Sequence, residues 1–78
     1  MEHAIIVNRL ARAHRHVVSS HQAILRQRLA IAELERNGHD TYDARLLLAK
    51  FEDKQDLSLR ERDQLLNELS LIVDRRPS

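Results

Sequence analysis

The sequence predicts an all-α fold: an antiparallel helical hairpin, expected to pair with a second hairpin into a helical bundle. Three observations carry this. Gly and Pro occur once each in 78 residues, too rarely for the turns of a β fold. The Gly falls near the midpoint, at 38, and the Pro at 77, so both halves are free of helix breakers. Apolar residues recur at three- and four-residue spacing in each half.

Residues 3–37 read as the first helix. Gly38 suits the left-handed position just past its end. Asp40 reads as the N-cap of the second arm, with Thr41 as the other candidate. The connection Asn37-Gly38-His39-Asp40 is short, and short connections make antiparallel neighbours. The second arm carries Ala44, Leu47, Leu48 and Phe51, then Leu59, Leu65, Leu66, Leu69, Ile72 and Val73. Its apolar stripe shifts by one residue across the polar stretch 53–58, and Ser58-Leu59-Arg60-Glu61 has the form of a capping box. A break near 55–58 is therefore expected, dividing the arm into helices at about 41–54 and 59–74; a continuous helix is the alternative. Arg75-Arg76-Pro77-Ser78 is expected to be a frayed tail.

Composition bounds the chemistry. There is no Cys, which excludes disulfides and Cys-based zinc sites. Tyr42 and Phe51 are the only aromatics, so the core must be aliphatic. The apolar run 4–7 is too short for a secretory signal and no stretch is long enough to span a membrane, so a cytoplasmic protein is expected. Net charge is +1, unevenly placed: residues 1–39 hold six Arg and five His against three Glu, and residues 40–78 hold seven Lys or Arg against nine acids. One arm is basic and the other mildly acidic, as suits neighbours in a hairpin.

The first helix shows two apolar columns at seven-residue spacing. One is Leu10, Val17, Ile24 and Ile31; the other is Ala4, Ala11, Val18, Leu25 and Ala32. A helix with one neighbour needs a single narrow seam, so two seams predict two neighbours, its own second arm and a second chain. The expected packing or dimer seam is thus Leu10, Val17, Val18, Ile24, Leu25 and Ile31. Between the columns lie Val7, His14, His21, Arg28 and Glu35. His14, His21 and Arg28 either line a groove between the seams, with Arg28 reaching outward to water, or form a pH-sensitive part of a dimer seam. Metal binding is not expected there. Chelation on one helix wants ligands about one turn apart, whereas His14 and His21 are roughly 10 Å apart along the axis.

A third face carries Arg9, Arg12, Arg15 and Arg26, with no acid between Glu2 and Glu33. Arg grips phosphate or carboxylate with two N–H groups, so this is a candidate face for an anion or an acidic protein. Nucleic acid is the weaker alternative, because net charge is near zero and stacking aromatics are few. Ser19, Ser20 and His21 are consecutive on a helix and diverge, so they form no nucleophile–base relay. The expectation is a chain with no enzymatic activity, no cofactor and no metal: an interaction module of regulatory or adaptor type, its first partner a second copy of itself.

The pattern Gln27-Arg28 … Leu34-Glu35 … Gly38-His39-Asp40-Thr41 … Ala44 … Leu47-Leu48 … Phe51-Glu52 … Arg62 … Leu65-Leu66 … Leu69 resembles short helical-hairpin proteins of bacteria, of proteobacterial type. It covers roughly residues 24–70. The resemblance implies a bacterial cytoplasmic protein and a helical hairpin. It implies no activity and transfers no functional residue.

Overall fold

In the computed structural model, which describes residues 2–74, helix α1 (Glu2–Arg36) turns through residues 37–41 into helix α2 (Tyr42–Asp74), packed antiparallel against it. The expected tail at 75–78 lies outside the described residues. The Cα trace measures 64 × 16 × 13 Å, a rod two helices wide.

The turn is built by local hydrogen bonds. Gly38 has φ 70°, a conformation costly to residues with a Cβ. It lets the His39 N–H bond to the Leu34 carbonyl at 2.9 Å and the Gly38 N–H to the Glu35 carbonyl at 3.1 Å, the paired bonds of a Schellman motif. At the start of α2 the two cap candidates divide the work. Thr41 holds the cap position, its carbonyl accepting the first helical bond from the Arg45 N–H at 2.9 Å. Asp40, expected in that position, lies one residue earlier, yet its Oδ1 accepts from the free Tyr42 N–H at 3.0 Å. Arg45 clamps the turn: its Nε donates to Thr41 Oγ1 and its Nη2 to Glu35, in the last turn of α1.

The seam between the helices has one rhythm throughout. On α1 the residues shielded from solvent include Ile6, Leu10, Ala13, Val17, Ser20, Ile24, Gln27, Ile31 and Leu34. On α2 they include Ala44, Leu48, Phe51, Gln55, Ser58, Arg62, Leu65, Leu69 and Ile72. Both sets alternate steps of four and three, keeping one stripe of each helix facing the other. Ile6, Ala13 and Leu65 form a buried cluster near the open end, with Leu10, Leu69 and Ile72 against it. The middle is more polar, and Gln27 Nε2 crosses the seam to the Ala44 carbonyl at 2.8 Å.

One expectation is corrected. α2 does not break at 55–58. The Ser58 hydroxyl donates to the Lys54 carbonyl at 3.1 Å, a bond within a continuous helix, instead of capping a new one. The apparent shift in the apolar stripe arose from counting Leu59 and Leu66 with the seam. The seam instead runs through polar Gln55, Ser58 and Arg62, while Leu66 lies exposed beside it. Of the two apolar columns of α1, the hairpin seam takes the one with Ile24, only 2% exposed, and leaves Val18 and Leu25 outside it, 43% and 46% exposed. The column Ile6-Ala13-Ser20-Gln27-Leu34 takes their place. Its Ser and Gln hid it from a search for apolar residues.

Candidate protein-interaction surface

The rod has two flanks, one on each side of the seam, and they differ in chemistry. On the first, a ladder of α1 residues at seven-residue spacing, Val7-His14-His21-Arg28-Glu35, runs beside a ladder of α2 residues, Val73-Leu66-Leu59-Glu52-Arg45. Three rungs are directly seen. Glu35 pairs with Arg45, Arg28 Nη2 lies 4.0 Å from Glu52 Oε2, and His14 shares a groove with Leu66. Seven-residue spacing on two antiparallel helices places Val7 with Val73 and His21 with Leu59. Near the turn this flank is therefore ion-paired, and towards the open end it is apolar.

Outside the α1 ladder runs the column Ala4, Ala11, Val18, Leu25 and Ala32, exposed along its whole length. With Val7, Leu66 and Val73, each at least 40% exposed, it makes an apolar strip that no part of the described chain covers. The groove within it is lined by Val7, Leu10, Ala11, His14, Arg62 and Leu66. No acid lines this groove. Arg62 reaches it from the seam, with Nη2 3.3 Å from Asp63 Oδ1 and with Nε buried and without an acceptor.

The second flank carries its own neutralisation. Arg9 and Arg12 line a groove with Glu61, Gln64, Leu65 and Glu68, so acids of α2 meet cations of α1. Arg26, two heptads after Arg12, shares that side of α1. Arg15 stands on the outer surface of the helix between the flanks. The four Arg therefore do not form one patch.

The structure thus divides the predicted seam. Leu10, Val17, Ile24 and Ile31 pack within the hairpin, and Val18 and Leu25 stay on the outside. His14 and His21 lie on the exposed flank, and Arg28 pairs with Glu52 across it. Both side chains of that pair are about half exposed, so the pair adds at most a few tenths of a kcal/mol. Arg62 was missed by sequence reasoning. Its signal was the four-and-three step from Phe51 through Gln55 and Ser58 to Leu65, legible only when polar residues are allowed in the stripe. Among the described residues no cluster of three or more His, Asp or Glu could hold a metal ion, and no helix is long and apolar enough to cross a membrane. No protein-family model, curated protein or solved structure matches the chain.

Proposed function

We propose that this chain is a non-enzymatic protein–protein interaction module that assembles as a homodimeric, coiled-coil-like helical bundle and serves a regulatory or adaptor role. The observation that carries this reading is the uncovered apolar strip from Ala4 to Ala32, continued by Leu66 and Val73. Its size supports a partner. The chain exposes 6328 Å2, against about 4,900 Å2 for a compact monomer of 9.1 kDa. The excess, on the order of 1,000 Å2, is comparable to what one partner buries in a stable interface, about 800 Å2. A bacterial, cytoplasmic setting rests on the resemblance over residues 24–70. Nucleic acid is the less favoured ligand, because Glu61 and Glu68 line the same groove as Arg9 and Arg12.

The test is the absolute mass in solution by light scattering on a sizing column. Twice the 9.1 kDa chain mass at micromolar concentration is expected. A monomer at all concentrations would sink the homodimer reading.

A further inference from the structure

Resting on the homodimer reading, we propose how the second copy sits: the two-fold axis runs parallel to the long axis of the hairpin, so that α1 of each copy packs along α2 of the other, with His14 opposite the partner's Asp63 and His21 opposite the partner's Asp56. Two face-to-face arrangements are open to a rod of two helices. An axis across the rod would lay α1 on α1 and α2 on α2. An axis along the rod lays α1 on α2, and every helix then runs antiparallel to both its neighbours.

Charge decides between them. On the bare flank α1 presents His14 and His21, and α2 presents Asp56 and Asp63. An axis across the rod lays this strip of α2 on itself and sets carboxylate against carboxylate, and like charges across an interface oppose association. Laying α1 on α2 sets the imidazoles of one copy against the carboxylates of the other.

Register follows with no adjustable shift, because rotation about an axis along the rod leaves every residue at its own height. His14 shares its rung with Leu66, and Asp63, three residues from Leu66, lies about 4.5 Å along the axis from that level, within reach of the two side chains. Asp56 lies seven residues before Asp63, and His21 seven after His14. In antiparallel helices the second pair therefore has the same small offset. Both aspartates are on the correct face. Asp63 lies four residues after Leu59 and three before Leu66, and Asp56 four after Glu52 and three before Leu59, the spacings that share a helix face. Both are exposed, as are His14 and His21; Oδ1 of Asp63 already accepts from Arg62 Nη2 at 3.3 Å, so it is the second oxygen that faces the imidazole in the dimer. An imidazole N–H can donate to a carboxylate whether the ring is neutral or charged. Neither the seam of the hairpin nor the groove around His14 provides that carboxylate within the chain. The dimer thus holds two symmetry-related pairs of His–Asp contacts along the edges of an apolar interface.

Paired charge reversals test this. His14→Glu with His21→Glu, and Asp56→Lys with Asp63→Lys, change only exposed positions, and circular dichroism should show helix content unchanged for both. Each double variant alone should elute as a monomer where the wild type is a dimer, with association weakened at least about tenfold. An equimolar mixture should recover the dimer mass, because in the mixed dimer one edge keeps His against Asp and the other sets Glu against Lys. The milder Asp56→Asn, Asp63→Asn chain should show a smaller loss of the same sign. Wild-type-like dimerisation of the Lys variant, or a mixture that stays monomeric, overturns the arrangement while the homodimer reading stands. Weakening by the Glu variant alone overturns it in favour of α1 against α1. A monomeric wild type overturns the homodimer reading itself.

Discussion

The two flanks of this hairpin are made of the same two helices, yet one is closed on itself and the other is not. Around Arg9 and Arg12, α2 provides Glu61 and Glu68, and opposite charges share a groove. Around Val7, Ala11 and His14 it provides Leu66 and Arg62; the apolar surface stays bare, and Arg62 meets only its sequence neighbour Asp63, which does not line the groove. The difference lies in which residues of α2 fall beside the seam on each side. A flank that meets its own opposite charge has little left to offer a partner. A flank whose open end is apolar, with no carboxylate in the groove around His14, asks for both from outside.

Adjacent residues test this contrast most severely. Ile24→Asp puts a charge at a seam position that is 2% exposed, and a loss of about 3–5 kcal/mol is expected, enough to abolish cooperative thermal unfolding. Leu25→Asp, one residue on, should cost far less in the fold while halving the mass in solution. Equal destabilisation by the two would erase the distinction between seam and flank. Next in size is Gly38→Val. A Cβ there would meet nothing within 4 Å, so the expected cost, about 1–2 kcal/mol, is that of the left-handed backbone alone. A melting temperature lowered by roughly 4–8 °C per kcal/mol measures it. The smallest effect should have the opposite sign. Arg62→Leu removes a buried donor without an acceptor and adds apolar contact, so a gain of about 1 kcal/mol in urea unfolding is expected. A loss would mean that the guanidinium stabilises the seam through Asp63.

Much of the fold could be read directly. The lone Gly38, its distance from both ends and the helical spacing on either side define a hairpin before any coordinate is known. The capping pattern at Ser58 misled because a Ser followed three residues later by Glu61 is equally at home inside a helix, where its hydroxyl can turn back to Lys54. The seam on α1 was half legible. Leu10, Val17, Ile24 and Ile31 stand out as apolar, but the partner column passes through Ser20 and Gln27, which only the neighbouring helix identifies as inward. The same confusion placed Val18 and Leu25 in a seam with the second arm or a second chain undecided. The structure removes the first option. His14 and His21 were visible as an anomaly on an apolar side, but Arg62 beside His14 was not, because their meeting depends on the register between the arms.

The clamp at the turn carries a consequence in time. The bonds from His39 to Leu34, Tyr42 to Asp40, Arg45 to Thr41 and Arg45 to Glu35 each span ten residues or fewer and need no distant contact. The cluster of Ile6, Ala13 and Leu65 joins residues more than fifty positions apart. Loops that close over short lengths close first, so the hairpin should zip from the turn towards its open end, and native-state fluctuations should undo it in reverse. Amide exchange should therefore be faster around residues 6–13 and 65–72 than around 27–34 and 44–51. The end that opens first is the end whose flank is apolar and bare. A second copy seated there would act as a latch on the slowest-closing part of the chain, tying the lifetime of the folded hairpin to its concentration.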